Sequence, residues 1–253
     1  MTVGGRFRLA WRIACAVSVL LFCLIGYGLA RPFERSERWV PRFLGLAARA
    51  LGARVTVAGR PLPSNVLIAA NHVSWMDILV LGGATGAAFV SKDAVARWPV
   101  VGWLARIGGT IFIRRESRAA TRGQADALAQ ALATGRPAAL FPEGTTGDGI
   151  TLAPFRPSLF ASVAPPPPGV QVQPVAIRYG RAAPEIAWTE DESTAANALR
   201  LLSRPGSLPV TLHFLDPIDP AAMNDRKAIA SAAQAAIAAA LPCTRDLRYG
   251  AAA

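Results

Sequence analysis

A histidine and an aspartate five residues apart could together perform acid–base chemistry. His72 and Asp77 lie in segment 71–77, NHVSWMD, between an apolar run typical of a strand and a stretch typical of a helix. An aspartate that binds one imidazole nitrogen fixes the tautomer of the histidine and stabilises its protonated form, which makes the histidine a general base. The sequence has no G-x-S-x-G segment to supply a nucleophile. We therefore expect this pair to activate a hydroxyl group of the substrate itself.

Both residues also have structural interpretations. Ser74 and Asp77 fit the S-x-x-D capping box, in which the acidic side chain binds backbone amides at the start of a helix. His72 could be a buried histidine with satisfied hydrogen bonds, since histidine is often half buried. The capping and catalytic roles of Asp77 can coexist, and all of these interpretations stay open at this point.

Two further segments have residue types suited to binding an anion. Segment 141–149, FPEGTTGDG, runs from a strand into a turn-rich loop whose backbone amides could face an anion. Segment 109–115, GTIFIRR, ends in Arg114 and Arg115, and guanidinium groups bind phosphate in a bidentate manner. Each segment alone is weak evidence, because paired arginines at a strand end are usually solvated.

Hydrophobic patterning predicts the elements that position these residues. From residue 54 onward, short apolar runs alternate with helical stretches, which indicates an α/β domain with a mixed, largely parallel seven-stranded sheet flanked by helices. The predicted strands are 54–58, 66–70, 87–91, 110–114, 138–141, 170–178 and 210–215. The clearest predicted helices are 117–134 and 225–241. Pro174 predicts an edge or a bulge in the sixth strand, since proline donates no ladder hydrogen bond. His72 and the 141–149 loop follow the second and fifth strands, where an open α/β sheet binds its ligand.

An apolar stretch near the amino terminus predicts attachment to a membrane. Residues 13–30 contain 18 uncharged residues, and as a helix they would extend about 27 Å, close to the ~30 Å hydrocarbon core of a bilayer. Arginines flank both ends, so crossing the bilayer and dipping into one leaflet both stay open. A cleaved signal peptide is the third alternative, and the basic residues that follow the stretch disfavour it. Residues 39–51 have the pattern of an amphipathic interfacial helix. We predict a membrane anchor over residues 1–53 and a catalytic domain over 54–253.

Composition and charge exclude several classes of protein. With 52% hydrophobic and 17% charged residues, the chain is not a disordered polar segment. The net charge is +11, and residues 1–60 alone carry ten arginines and two glutamates. Because this excess flanks the apolar stretch, and no nucleic-acid-binding motif is present, it favours an anionic membrane surface over nucleic acid. Three cysteines, two of them in the apolar stretch, predict a reducing compartment for the folded part.

Together, in this order and spacing, the segments resemble the glycerophospholipid acyltransferase family, typified by 1-acyl-sn-glycerol-3-phosphate acyltransferases. His72 and Asp77 stand at the H-x-x-x-x-D motif of that family, residues 112–115 at its arginine-ended F-I-x-R motif, and residues 141–145 at its F-P-E-G-T motif. Pro174 resembles the centre of a fourth motif. Four ordered motifs that cover most of the chain are a specific match, whereas any single motif is not.

The resemblance implies an acyltransferase on the cytoplasmic side of a bacterial-type inner membrane. Its acyl donor would be acyl-CoA or an acyl-acyl carrier protein, its acceptor the free hydroxyl of a lysolipid, and it would use no metal or other cofactor. His72 would deprotonate the acceptor hydroxyl, and Asp77 would orient His72. The implied substrate-binding residues are Arg115, Glu143, Gly144, Thr145 and Arg156, with the amides around Gly144 and Thr145 stabilising the oxyanion.

Departures from the family pattern bear on the acceptor. In the phosphatidic-acid branch an arginine associated with the acceptor phosphate commonly follows F-P-E-G-T, and here that position is Thr146. Ser158 stands where a glycine is usual. The continuation TTGDG is similar to bacterial members that acylate other lysolipids, including lyso-ornithine lipid, so we expect a weaker dependence on a phosphate group. An inactive membrane-anchored lipid-binding scaffold is an alternative of another class. We interpret His213 as strand filler, and Lys92, Asp148 and the acidic run 190–192 as surface.

Overall fold

Seven strands and ten α-helices make up the parts of the chain described in a computed structural model, namely residues 2–113, 118–189, 191–223 and 225–241. The strands are β1 (Ala53–Ala58), β2 (Val66–Ala70), β3 (Ala88–Lys92), β4 (Ile111–Ile113), β5 (Ala138–Leu140), β6 (Gln171–Arg178) and β7 (Leu208–Phe214). The helices are α1 (Val3–Ala30), α2 (Trp39–Ala50), α3 (Met76–Thr85), α4 (Asp93–Ala96), α5 (Pro99–Ile107), α6 (Arg118–Ala133), α7 (Ala183–Ile186), α8 (Thr194–Ser203), α9 (Pro220–Met223) and α10 (Arg226–Ala240).

One sheet contains all seven strands, in the order β1-β7-β6-β2-β5-β3-β4. Only the β6–β7 pair is antiparallel, and the other five neighbouring pairs are parallel. The prediction of an α/β fold with a mixed, largely parallel seven-stranded sheet is therefore confirmed. Because β2 lies between β5 and β6 and runs parallel to both, the residues that follow these three strands meet at one end of the sheet.

The core lies on both sides of this sheet. Alternate residues of β2 point to opposite sides, with Ile68 in one buried cluster and Leu67 in the other. The first cluster includes α3 residues such as Leu81, and the second includes Leu132 of α6 and Ile229 of α10. Every residue of β2 is buried, which explains its continuous apolar sequence in place of alternation.

Pro174 does not lie at an edge of the sheet. It belongs to β6, which has a strand on each side, so the predicted edge position is wrong. Antiparallel pairing with β7 begins only at the next residue, Val175, and the Pro174 carbonyl accepts a hydrogen bond from Leu215, just beyond β7. Beyond Pro174, Val172 pairs with Ile218 one residue out of register, so the missing amide falls at an interruption of the pairing, which agrees with the predicted bulge and not with the predicted edge.

The amino-terminal residues form a helical hairpin against the rest of the protein. Helix α1 begins at Val3, ten residues before the predicted apolar stretch. Gly26 lies against Trp39 at the start of α2, and Arg12 lies against Gly52 just past its end, so the two helices are antiparallel. Among the described residues, the helical stretch Val3–Phe33 is the one with enough length and hydropathy to cross a membrane, a test that core helices and signal sequences also pass.

Arginines join α1 to the end of α8. The Arg12 side chain is buried and donates hydrogen bonds to the carbonyls of Leu201, Leu202, Arg204 and Gly206, at 2.7–3.1 Å. The carbonyls at the end of a helix lack helical partners, and a guanidinium group satisfies several of them at once. These contacts favour a retained α1 over a cleaved leader. The predicted division at residue 53 stays a prediction.

Candidate active site

Asp77 orients His72 at the end of β2. The His72 Nδ1 and Asp77 Oδ2 atoms are 2.9 Å apart, and Asp77 is completely buried. The same oxygen accepts hydrogen bonds from the backbone amides of Val73 (2.6 Å) and Ser74 (2.9 Å). Asp77 lies in the first turn of α3, where free amides and the helix dipole favour a carboxylate. The capping contact with Ser74 and the contact with His72 therefore occur together.

A tyrosine that sequence reasoning missed completes the surroundings of Asp77. Tyr179 follows β6 directly, and its hydroxyl donates a 2.5 Å hydrogen bond to Asp77 Oδ1. Burial, and the negative charge of Asp77, raise the Tyr179 pKa well above its usual value, so the phenol keeps its proton and remains a donor. The sequence could have indicated Tyr179 only if β6 were already known to neighbour β2.

Asn71 connects the ends of the same two strands. Its side-chain amide donates to the Ile177 carbonyl (3.0 Å) and accepts from the Ile177 amide (2.7 Å), and Asn71 is buried. A buried amide that satisfies both backbone groups of one residue fixes the separation of the two strand ends. His72 and Tyr179, which follow these ends, are thereby held within reach of one carboxylate.

His72 also lines a small pocket. The ring stacks on Phe141, with centroids 3.9 Å apart and an angle of 8° between the planes. Residues around the pocket include Val73, Glu143, Ile150 and Leu152. In the tautomer whose Nδ1–H donates a hydrogen bond to Asp77, Nε2 carries a lone pair. The imidazole is then able to take a proton from a hydroxyl group bound in this pocket.

Glu143 joins the segment that contains His72 to the loop that follows β5. Its Oε1 accepts from the His72 amide at 2.7 Å, and its Oε2 accepts from the Ala153 amide at 2.9 Å. Burial raises the pKa of this carboxyl group, and the two backbone hydrogen bonds partly offset that effect. The observed contacts are within the protein, and the predicted contact of Glu143 with the acceptor headgroup stays a prediction.

Gly144 and Arg156 lie against each other beside Glu143. Gly144 has a φ of +79°, a conformation that favours glycine, and a Cβ atom there would lie 3.0 Å from Nε of the exposed Arg156 side chain. The Gly144 amide donates to the Phe141 carbonyl at 3.0 Å. The Arg156 side chain is exposed, and Thr145 is half-buried. Arg115 lies outside the described residues.

Thr146 binds the protein backbone. Its hydroxyl donates to the Trp188 carbonyl, and the Trp188 amide donates to the Val73 carbonyl at 2.9 Å. Thr146, which stands where the phosphatidic-acid branch commonly has an arginine, thus connects segment 141–149 to the segment beside His72 through Trp188. Thr146 presents no cation to an acceptor.

The remaining predictions concern residues away from the pocket. Asp148 is exposed, as predicted, and His213 lies in β7. Glu192 is not free surface, because Arg200 and Asn197 both donate to its carboxylate. Glu190 and the side chain of Lys92 lie outside the part of the chain that the structure describes. Within the described ranges, no group of three or more His, Cys, Asp or Glu residues could hold a metal ion.

Comparison with known proteins identifies the same class of enzyme. A family profile described as Acyltransferase matches residues 54–178. A lyso-ornithine lipid O-acyltransferase from Rhodobacter capsulatus is 36% identical over 255 residues, covering 93% of this chain and 91% of that protein. A 1-acyl-sn-glycerol-3-phosphate acyltransferase from Neisseria gonorrhoeae is 39% identical over 137 residues, covering 53% of this chain and 52% of that protein.

A solved structure has the same fold. The crystal structure of the 1-acyl-sn-glycerophosphate acyltransferase PlsC from Thermotoga maritima aligns with a TM-score of 0.71 and 23% sequence identity, covering 98% of each chain. At this level of identity the similarity shows the fold alone, whereas the relative that matches almost the full length shows the family. The chain therefore belongs to the acyltransferase family, as its four ordered motifs predict.

Proposed function

We propose that this acyltransferase moves an acyl chain from an acyl thioester to the free hydroxyl of lyso-ornithine lipid. The observation that carries the proposal is Thr146, whose hydroxyl is bound to the Trp188 carbonyl where the phosphatidic-acid branch commonly has arginine. An ornithine headgroup carries an ammonium and no phosphate, so it does not need that arginine. A relative named for this acceptor also matches 93% of the chain, against 53% for a relative named for 1-acyl-sn-glycerol-3-phosphate.

His72 acts as the general base in the proposed mechanism. Its Nε2 takes the proton of the acceptor hydroxyl while the hydroxyl oxygen attacks the thioester carbonyl carbon. Asp77, with Nδ1 at 2.9 Å, stabilises the imidazolium. When the tetrahedral intermediate collapses, the carbon–sulfur bond breaks and the thiolate takes the proton back from Nε2. The products are an ester and a free thiol, and no covalent acyl-enzyme forms.

Residues 144–147, in the loop of segment 141–149, are the proposed site of oxyanion stabilisation. The Gly144 amide already donates to Phe141, so we assign the oxyanion contact to the Thr145 amide. Arg156 is exposed next to Gly144 and is available to an anionic part of the acceptor or the donor. Acyl-CoA and acyl-acyl carrier protein both stay candidate donors, and neither needs a metal in this mechanism.

A product assay with a panel of acceptors tests this function. Membranes with the protein or its His72→Ala variant are given an acyl thioester and lysolipids, and new diacylated lipids are measured by mass spectrometry. We expect acylated lyso-ornithine lipid that disappears with His72→Ala. If lysophosphatidic acid has a kcat/KM greater by about 10²-fold or more, roughly 3 kcal/mol of discrimination, the proposed acceptor is wrong. If no acceptor is acylated by either form, the inactive scaffold becomes the better interpretation.

Lysophosphatidic acid (1-acyl-sn-glycerol-3-phosphate) remains the second candidate acceptor, because the Neisseria gonorrhoeae relative named for it is 39% identical over the part it matches. Thr146→Arg separates the two candidates. The new guanidinium group should raise kcat/KM for lysophosphatidic acid relative to lyso-ornithine lipid. Thr146→Lys is the control for charge without the bidentate geometry. An unchanged ratio in both variants would show that residue 146 does not select the headgroup.

We also propose that the α1–α2 hairpin enters one leaflet, with the catalytic domain on the cytoplasmic side of the inner membrane. Arg12, near one end of the hairpin, binds carbonyls at the end of α8, and Gly52, at the other end, leads into β1. Both ends therefore return to the same domain, which supports a re-entrant segment over a crossing one. A tag at the amino terminus should be cleaved by protease from the cytoplasmic side only. Cleavage from the outside would indicate that the segment crosses the bilayer.

A further inference from the structure

Helix α5 presents a row of large apolar side chains to solvent. Trp98, Val100, Val101 and Trp103 are 40–58% exposed. The opposite side of the helix is closed by Gly102, which is buried so close to α4 that a Cβ atom would lie 2.4 Å from the Ala96 carbonyl oxygen. The contact with α4 fixes which side of α5 faces outward. Because that side holds two tryptophans, solvent is an unfavourable surrounding for it.

This row lies on the side of the sheet that carries the α1–α2 hairpin. Right-handed crossovers from β2 to β3 and from β3 to β4 place α3 and α5 on one side of the sheet. Helix α2 packs on α3, where the backbones of Gly45 and Gly83 touch. At the end of α5, Gly108 lies beside Val40 at the start of α2. The apolar row of α5 therefore neighbours the hairpin on the same side of the molecule.

Two arginines lie close to this apolar row in sequence. Arg97 and Arg106 are both exposed, one before α5 and one in its last turn. Tryptophan and arginine are the side chains that favour the boundary between headgroups and acyl chains, because each joins an apolar body to a polar group. The exposed face of α1 continues the pattern with Phe22, Ile25 and Leu29.

We propose that α5 is a second membrane-contacting helix, whose Trp98, Val100, Val101 and Trp103 enter the headgroup region of an anionic bilayer beside the hairpin. The proposal rests on the membrane association proposed above. Two separate contacts fix the tilt of the protein relative to the bilayer, whereas the hairpin alone does not fix this tilt. Because α4 and α5 follow β3 at the end of the sheet where His72 lies, the second contact holds the mouth of the pocket at the lipid surface.

Fluorescent labels at single cysteines measure this contact. The full-length chain, with Cys15, Cys23 and Cys243 replaced by alanine, carries Val101→Cys and is reconstituted in vesicles of phosphatidylglycerol and phosphatidylethanolamine. Lipids with a nitroxide near the headgroup act as the quencher. Leu21→Cys on the exposed face of α1 is the positive control, and Ser231→Cys, exposed on α10 at the other side of the sheet, is the negative control.

We expect the label at 101 to lose fluorescence as the label at 21 does, while the label at 231 keeps its fluorescence. A label at 101 that behaves like the one at 231, with 21 quenched, would overturn the proposal and leave the hairpin as the membrane contact. If 21 is not quenched either, the proposed membrane association fails first. Val100→Cys repeats the measurement should Val101→Cys not fold. Shielding at 101 that depends on protein density and not on nitroxide would indicate a contact between copies and contradict a lipid contact.

Discussion

The carboxylate of Asp77 accepts four hydrogen bonds, and each one restricts the position of the base. Three come from within segment 72–74, and the fourth comes from Tyr179 at the end of a different strand. In the proposed mechanism, these contacts hold Asp77 where it orients His72 and stabilises the imidazolium. In that mechanism Tyr179 would act through Asp77, as a positioning residue.

Tyr179→Phe should lower kcat with little change in the KM of the acceptor, because Tyr179 touches Asp77 and not the pocket. Loss of one hydrogen bond to a charged group predicts a fall of about tenfold, or ~1.4 kcal/mol. The carboxylate should also become a stronger partner for the imidazolium, which moves the acidic limb of the pH–kcat profile to higher pH. A variant with lower activity but an unmoved acidic limb would indicate a merely structural role for Tyr179.

The contact between His72 and Asp77 was predictable because both residues lie within six consecutive positions, and their catalytic roles stay predictions. Glu143 was predicted as a site residue, yet its two contacts with backbone amides depend on how two loops meet. Tyr179 and Asn71 could not be given roles, because sequence order does not reveal that β6 pairs with β2. The roles of the substrate-binding residues Arg115, Thr145 and Arg156 stay predictions.

At the scale of elements, the hairpin depends on a close crossing of α2 and α3. A Cβ atom on Gly83 would lie 2.6 Å from the backbone N and Cα of Gly45, closer than real contacts allow. Helix backbones reach this separation only where neither residue has a side chain. The glycines therefore let the hairpin pack directly on α3, whose first turn contains Asp77.

Gly83→Ala should destabilise the protein by roughly 1–3 kcal/mol, because the helices must separate to admit the methyl group. Thermal unfolding in detergent measures the effect. Gly28→Ala is the matched control, since nothing lies within 4 Å of the added methyl group in α1. Alanine favours helices over glycine by about 1 kcal/mol, so the control should be neutral or stabilised. Equal melting temperatures for the two variants would refute the close crossing.

Hydrogen bonds also attach α8 to segment 71–77, which contains His72 and Asp77. Glu192 accepts from Arg200 and Asn197, and Asn197 in turn accepts from the Trp75 indole at 2.9 Å. Trp75 lies two residues before Asp77. The hydrogen bonds from Arg200 lower the Glu192 pKa from 4.5 to about 2.

The stabilising effect of Glu192 should depend on pH. A carboxyl group with a lowered folded-state pKa stabilises the fold above its unfolded-state pKa of 4.5, and this contribution is lost as pH falls toward about 2. Glu192→Gln should therefore cost stability at pH 7 and cost progressively less below pH 4.5. Urea unfolding across this range measures the difference, and a difference that is constant with pH would contradict the assignment.

The seven strands were predictable to within two residues of their ends, since apolar runs and turn residues are local features. Two expectations failed for non-local reasons. Pro174 does not lie at an edge of the sheet, and it is tolerated inside because the antiparallel pairing is interrupted beside it. The start of α1 was missed because Arg8 and Arg12 interrupt the apolar pattern, whereas carbonyls at the end of α8 bind both side chains.

At the scale of the whole molecule, charge and apolar surface coincide. Residues 1–60 carry ten arginines and two glutamates, and the same region supplies the hairpin with its exposed apolar face. Such a surface should bind anionic lipid through both charge and burial, at roughly 1 kcal/mol for each basic residue near the membrane.

Binding to phosphatidylglycerol vesicles should weaken as salt rises from about 0.01 M to about 1 M, over which the Debye length falls from ~30 Å to ~3 Å. Flotation of the full-length protein with the vesicles measures this. Phosphatidylcholine vesicles, which have no net charge, should bind more weakly and with little salt dependence. Equal salt dependence for both lipids would indicate that the arginines do not contact headgroups.

The return of both hairpin ends to one domain has a consequence for lipid distribution. If the hairpin enters one leaflet as proposed, the protein takes its acceptor from, and releases its product into, the leaflet that faces its catalytic domain. Acylation turns a single-chain, detergent-like molecule into a two-chain lipid that crosses a bilayer slowly. The newly made lipid would therefore be asymmetric at first, and its appearance in the opposite leaflet would be timed by a separate transbilayer transport step.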